Sequence, residues 1–195
     1  MTIVVHRLNE GARTALKVHF LALSPEDRRL RFGSTLSAES IIAYVEGIDF
    51  DRDAVFGVRD DRLRLVGVTH AAFGDDLAEL GLSVLPAHRG HGVGGALFER
   101  SVAHARNRFV SRLYMNCLEE NAPIMHIARR FGMSVVSSAG DAEAHLLLPP
   151  ASPASLAAEF VTNSLAEYDH ALKLQVRAWK RINAALKSAG PLEAG

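Results

Sequence analysis

The stretch 88-HRGHGVGGALFER-100 decides how this chain is read. Arginine and glycine crowd its first half, and an apolar rhythm then runs through Val93, Leu97, Val102 and Ala105 to about Arg108. A glycine-rich loop that opens a helix presents bare amides at the positive end of the helix dipole, which suits phosphate groups. Three phosphate-bearing ligands are open: a nucleoside triphosphate, a dinucleotide, and coenzyme A through its pyrophosphate. A triphosphate loop ends on Lys followed by Ser or Thr, and Ala96-Leu97 stands there instead, which removes that option. Gly90-His91-Gly92-Val93-Gly94-Gly95 does satisfy the dinucleotide pattern G-x-G-x-x-G, and Glu119 and Glu120 follow at roughly the distance of a ribose-binding acid. That pattern belongs in a tight turn directly after a strand, however, and Leu85-Pro86-Ala87-His88-Arg89 intervenes. The third option uses more residues. Arg89-Gly90-His91-Gly92-Val93-Gly94 fits R-x-x-G-x-G, and its successive amides can hold a pyrophosphate.

Outward from the loop, short β-branched or alternating runs predict strands at Thr2–Leu8, Ala54–Arg59, Leu63–Phe73, Leu77–Leu85, Arg112–Leu118, Met133–Ser137 and Ala144–Leu148. Helices are predicted from Asn9, from Ser24-Pro25 with Ser24 as cap, from Ser37 to Gly47, over Val93–Arg108 and over Ala122–Phe131. The Gly33–Leu36 link is placed beside a binding cleft. The order predicts an α/β (α+β) fold, with a mixed, mostly antiparallel sheet of about seven strands flanked by helices. Composition changes at Pro149, so residues 1–148 read as the domain and 149–155, rich in Pro, Ser and Ala, as a linker. Residues 156–195 read as a helical extension, with one long helix over Leu156–Lys187. Leu165, Leu172, Trp179 and Leu186 recur every seventh residue, with Val161, Tyr168 and Ile182 at complementary spacing. Two outcomes are open for it: packing back on its own domain, or pairing with a second copy as a homodimer.

The chain has 195 residues, 48% of them hydrophobic, with Lys plus Arg equal to Asp plus Glu at 22 each. The balance gives no reason to expect a nucleic-acid or membrane partner. The amino terminus lacks a secretory pattern and no apolar run reaches membrane-spanning length, so a cytoplasmic protein is expected. The single Cys117 fits a reducing compartment and reads as a buried small hydrophobe. His88 and His91 have no partners at metal spacing, so no metal is expected.

Glu79-Leu80-Gly81-Leu82-Ser83-Val84, Pro86, the R-x-x-G-x-G loop, Ala96-Leu97 and Asn121 to Phe131-Gly132-Met133 together resemble the GNAT superfamily of acyl-CoA-dependent N-acyltransferases. Leu23–Glu26 to Leu30–Phe32, Ile48–Arg52 and Asn121–Arg129 resemble the acetyltransferase domain of bacterial protein-lysine acetyltransferases. The resemblance implies a GNAT fold and direct transfer of acetyl from acetyl-CoA to an amine, either a protein lysine or a small molecule. It implies that Leu82, Ser83 and Val84 pair with the pantetheine arm, and that a main-chain N–H of Val84 or its neighbour polarises the thioester carbonyl. It places Gly90, His91, Gly92, Val93, Gly94 and Gly95 on the pyrophosphate, Arg89 at the loop's entrance and Asn121 beside the pantetheine. Glu79 takes the position of a general base acting through water; a solvated strand-end charge is the other reading. Where many members carry a general-acid Tyr, this chain has Ala128, which leaves a non-catalytic acetyl-CoA-binding module as the alternative function. His126 and Tyr114 are substitute donors, Tyr114 being expected in the core. Arg28, Arg29 and Arg31, near the substrate cleft, either steer an acidic substrate or CoA or form a solvated helix face, the second being the expectation.

Overall fold

The computed structural model describes residues 3–188. Thr2 and residues 189–195, assigned above to the first strand and to the extension, lie outside the described residues. The chain opens with β1 (Val5–Leu8), a 3₁₀ turn, α1 (Arg13–Leu21), α2 (Pro25–Phe32) and α3 (Ala38–Glu46). β2 (Ala54–Arg59), β3 (Leu65–Phe73) and β4 (Leu77–Val84) follow as a meander, then α4 (Val93–Asn107), β5 (Arg112–Leu118) and α5 (Ala122–Arg130). β6 (Ser134–Ser138), β7 (Asp141–Leu147) and α6 (Pro153–Ser188) complete it. The seven strands form one sheet in the order β1-β2-β3-β4-β5-β7-β6, antiparallel throughout except for the β4–β5 pair.

Local chemistry sets the element ends. The Ser24 and Ser37 hydroxyls accept from the amides of Asp27 and Ser40 and cap α2 and α3, and Pro25 occupies the first turn of α2. β3 starts at Leu65, not Leu63, because Leu63 lies at φ +61° in a turn where the Asp60 carboxylate accepts from the amides of Arg62 and Arg64. β7 starts at Asp141, not Ala144. Ala139 and Gly140, at φ +54° and +93°, make a two-residue hairpin turn that extends pairing back to Ser138–Asp141.

β2 and β3 are covered on both faces, which explains their nearly unbroken apolar runs. On one side α1 and α3 bury Leu16, Phe20, Ile41 and Val45 against Val55, Leu65 and Val68. On the other, α4 and α5 bury Leu97, Phe98, Ile124 and Ala128 against Phe56, Leu80, Leu113 and Met115. Cys117 is buried in this second layer, and burial raises its thiol pKa.

The stretch expected as a linker ends early, because α6 begins at Pro153. The Ser152 and Ser155 amides each donate to the other's hydroxyl there, at 2.9 and 3.2 Å, and Ser155 Oγ donates to Asn107 at 2.6 Å. One stripe of α6 packs back on the domain. Glu159 accepts from Arg100 at 3.0 Å, His104 at 2.7 Å and Asn107 at 2.7 Å, Asn163 accepts from Arg100, and Ala166 is buried. Burial alone would raise Glu159, but hydrogen bonds from His104, Asn107 and Arg100 outweigh it and hold the carboxyl at about 2. The heptad stripe is a different face: Val161, Leu165, Tyr168, Leu172, Trp179 and Ile182 are all exposed. Among the described residues no helix is long and apolar enough to cross a membrane.

Candidate active site

β4 carries the site because it loses a neighbour halfway along. Its parallel pairing with β5 covers only Leu77–Glu79 against Arg112–Tyr114, after which β5 continues beside β7 and the two strands part. On its other side β4 stays paired to β3 through Val84. Leu85 N donates to Val66 O at 2.8 Å, so in this register the β3-facing backbone groups are those of Gly81 and Ser83. The amides and carbonyls of Leu82 and Val84 therefore face the gap. Side chains alternate the other way. Leu82 enters the α4 layer, whereas Ser83 lies buried on the α1 side, where its hydroxyl meets His19 Nε2 at 2.9 Å. His19 Nδ1 contacts the Leu65 carbonyl at 3.0 Å, which only an N–H can do, so Nε2 accepts from Ser83. Burial pushes His19 down to about 4, and the neutral ring pins β4 from below.

Past Val84, a 3₁₀ turn at Pro86–His88 separates strand from loop, so the glycines do not follow the strand as a dinucleotide turn requires. Gly90 and Gly92 lie at φ +74° and +84°, a region open to glycine at little cost. Gly92 caps α4 without a side-chain bond, and the first intrahelical bond from this end runs from Ala96 N to Gly92 O at 3.0 Å. The amides of Val93, Gly94 and Gly95 thus have no intrahelical acceptor and open toward the cleft, where anions are favoured. A Cβ on Gly94 would stand 2.9 Å from Ile127 Cδ1, so glycine also lets α4 and α5 close together.

The cleft between β4, the loop and α5 has a volume of about 290 Å³. It gathers Leu82, Ser83, Val84, Arg89, Gly90, Gly92, Val93, Gly94, Gly95 and Asn121, while His91 stands outside its lining. Besides Ser83, two of these side chains are engaged within the protein. Arg89 Nε donates to Val84 O at 2.9 Å and its Nη2 to Asp27 at 2.6 Å, bracing the loop to β4 and to the first turn of α2. Asn121 caps α5 by accepting from Ile124 N at 3.3 Å and donates to Leu30 O at 3.1 Å. His126, Ile127 and Arg130, within about one turn of α5, also line it, together with Leu23, Leu30, Arg31 and His88 among others. Ala128 faces the core and is fully buried.

Glu79 lies in a second cavity of about 340 Å³ on the α1–α3 face, with Arg31, Tyr44, His70, Gly81, Asn116 and Asp141. Leu30 and Arg31 line both spaces, so the two meet at the point where β4 and β5 diverge. Tyr114 is half-buried on this open face, in register with Glu79 and stacked at 5.0 Å on His145, because β5 turns Leu113, Met115 and Cys117 inward. That corrects its expected core placement. The three arginines of α2 are likewise not a solvated face. Arg28 donates to the carbonyls of Leu21, Leu23 and Leu36, and Arg29 bridges Glu26 and Glu120. Arg31 lies over Gly81, where a Cβ would collide with its guanidinium, and stacks on Phe32 at 4.7 Å. Asp76 accepts from the amide and hydroxyl of Ser111 at 3.0 and 2.7 Å, a turn brace.

Tyr44, His70 and Asp53 form a hydrogen-bonded chain that sequence reading missed. Tyr44 Oη lies 2.7 Å from His70 Nδ1, and His70 Nε2 lies 3.0 Å from Asp53 Oδ2. Burial lowers His70, against the pull of Asp53. Burial would raise Asp53, but hydrogen bonds from Arg52 and His70 outweigh it and keep the carboxyl low. The one available signal was a lone histidine within an apolar strand. Among the described residues no group of three or more His, Cys, Asp or Glu is placed to hold a metal ion.

Residues 38–133 match the acetyltransferase (GNAT) family. Streptothricin acetyltransferase of Streptomyces lavendulae is 31% identical over 91 residues, 46% of this chain and 48% of that protein, so the match spans about half of that relative's length. Among solved structures, the GNAT domain of S. lividans PAT superposes with a TM-score of 0.64 and 21% identity, over 74% of this chain and 89% of that one. A putative acetyltransferase from Salmonella typhimurium, solved with its cofactor acetyl-CoA, gives 0.59 and 15% identity, over 78% and 97%. Over residues 38–133, then, this chain matches the GNAT acetyltransferase family, and its fold is the GNAT fold.

Proposed function

We propose that this protein moves the acetyl group of acetyl-CoA to a primary amine by direct attack within a ternary complex. One observation carries the reading: a single splayed strand serves two adjoining cavities, with free amides and a glycine loop on one and an acid on the other. In this reading the Val93–Gly95 amides hold the pyrophosphate, the backbone of Leu82 and Val84 pairs with the pantetheine arm, and Asn121 lies beside that arm. Arg89 acts by holding the loop. The N–H of Val84 or its neighbour polarises the thioester carbonyl, and Glu79 takes a proton from the attacking amine through water. A thiolate is a tolerable leaving group near neutral pH, so Ala128 in the place of a Tyr is compatible with turnover. A protein lysine is the leading acceptor, on the resemblance of residues 23–32, 48–52 and 121–129 to bacterial protein-lysine acetyltransferases. A small-molecule amine is the second, supported by the partial likeness to streptothricin acetyltransferase. The exposed heptad stripe of α6 is the surface through which we expect two copies to pair, in the cytoplasm.

The test is thiol release from acetyl-CoA with a panel of lysine peptides and small amines, wild type beside Glu79→Gln. The expected result is turnover by wild type and a loss of about 10²–10⁴-fold in kcat for the variant, with acetyl-CoA affinity unchanged. Wild type that binds acetyl-CoA but acetylates nothing in the panel is the signature of the non-catalytic module.

A further inference from the structure

An alkyl ammonium must give up two protons to become an amide. One leaves before attack, because the nitrogen lone pair is otherwise occupied, and one leaves after the C–N bond forms. Glu79 is a single exposed carboxylate, and at pH 7 only about one lysine amine in 2,500 is already neutral. The cavity that contains Glu79 is also lined by Arg31, Tyr44 and His70.

The direction of every proton in that chain follows from its two ends. Arg31 has only donors, and its Nη2 lies 3.1 Å from Tyr44 Oη. Ionised Asp53 has only acceptors. Its carboxylate is almost fully buried and is held by Arg52 Nε at 3.1 Å and by the Phe73 amide at 3.4 Å, besides His70. His70 must therefore carry its proton on Nε2, toward Asp53, and present bare Nδ1 to the Tyr44 hydroxyl. The hydroxyl gives its own proton inward to His70 and accepts from Arg31. This is the arrangement of a base held by an orienting carboxylate, reached through a phenol at the cavity wall.

Resting on the acetyl-transfer reading above, we propose that Tyr44–His70–Asp53, with Arg31 at its outer end, is a second proton acceptor of this site and deprotonates the substrate ammonium. The ammonium N–H bond breaks toward Tyr44 Oη as the Tyr44 proton moves to His70 Nδ1, and the imidazolium so formed faces Asp53. The neutral amine then attacks the thioester carbonyl. The second nitrogen proton goes to Glu79 through water, the C–S bond breaks, and the CoA thiolate takes a proton from solvent. Glu79 passes its proton to solvent and His70 returns its own by the same path, so that ammonium plus thioester gives amide, thiol and one released proton. Tyr44 touches substrate and is a catalytic residue, whereas Asp53 is a positioning residue. The charged and titratable groups around the chain are Arg31 from α2, Asp53 and Arg52 before β2, and Glu79 from β4, with Asp141 of β7 across the cavity.

The experiment is the pH profile of kcat/KM for wild type, Tyr44→Phe and His70→Gln, on whichever amine of the panel wild type acetylates. Acetyl-CoA affinity and thermal unfolding are measured alongside, to show that each variant is folded. The expected loss is about 10–100-fold at pH 7 for either variant, little more for the double variant, and a loss that shrinks toward none as the pH nears the amine's own pKa near 10. Equal losses at all pH values, or none, in folded variants overturn the relay and leave the acetyltransferase reading standing. If a variant does not fold, Arg31→Met, which removes the outer donor at a partly buried position while keeping an apolar stem over Phe32, is put to the same profile with the same criteria. If wild type acetylates no amine, the function itself fails and the relay with it.

Discussion

Gly92→Ala isolates the feature on which the proposed cofactor cleft depends. Gly92 lies at φ +84°, where an L side chain costs about 1–2 kcal/mol, and its new Cβ would touch Ile3 Cδ1 at 3.4 Å, a contact that a flexible side chain can relieve. That cost has two places to appear. If the loop keeps its shape, it is lost from folding, and for a chain of this size the melting temperature falls by about 2–8 °C. If the loop relaxes, the amides of Val93 and Gly94 turn from the cleft and acetyl-CoA affinity falls by about 5–30-fold. The two losses together must come to about 1–2 kcal/mol. Gly92→Asn, which tolerates this region better, should recover part of either. Gly132→Ala supplies the control: φ is +72°, a Cβ there meets nothing within 4 Å, and the residue, just past the end of α5, does not line the cleft. It should cost stability and leave binding untouched. Titration calorimetry with acetyl-CoA and thermal unfolding read both quantities on the same samples. Wild-type values for Gly92→Ala in both, or equal weakening of acetyl-CoA binding by Gly132→Ala, would refute the link between this backbone turn and the phosphate site.

Stability should fall on acidification. Burial depresses His6 and His19 from 6.5 to about 4, so the unfolded chain binds more protons between those values and stability is lost as pH drops through the window, on the order of 3 kcal/mol for each. Urea midpoints that stay level from pH 6.5 to 4.5 would contradict this. Glu159→Ala strands Arg100 and His104, both nearly buried, and should cost about 3–5 kcal/mol, with faster hydrogen exchange in residues 153–170 than in β2 or β3. Uniform acceleration across the sheet would mean that α6 is not a separable unit. Trp179→Lys should halve the mass in sedimentation if copies pair through the heptad stripe, and a wild type that sediments as a monomer at tens of micromolar rejects the pairing.

The parts legible in the sequence are those whose cause lies within a few residues. A serine before Pro25 or Ala38 caps a helix whatever surrounds it, and Gly90 and Gly92 announce positive φ because few other residues accept it. Ala139-Gly140 went unread for the same reason in reverse, since alanine seldom adopts the left-handed turn it takes there. Spacing along the chain carries no record of the rest. β4 and β5 part after three residue pairs while β5 stays paired to β7 along its whole length, a divergence that neither strand's own pattern encodes. Ser83 reads as a polar residue in a strand until His19, 64 positions earlier, is found beneath it. Tyr44, His70 and Asp53 come from a helix, a strand and a loop, each plausible alone as core or surface, and only the fold links them, with Tyr44 and His70 in the wall of the cavity that holds Glu79 and Asp53 buried behind. The proposed phosphate end of the site is built from local backbone geometry and so can be read from one motif. The proposed amine end is built from side chains delivered by separate elements, so its acceptor must be sought in the shape and charge of that cavity rather than in any run of residues.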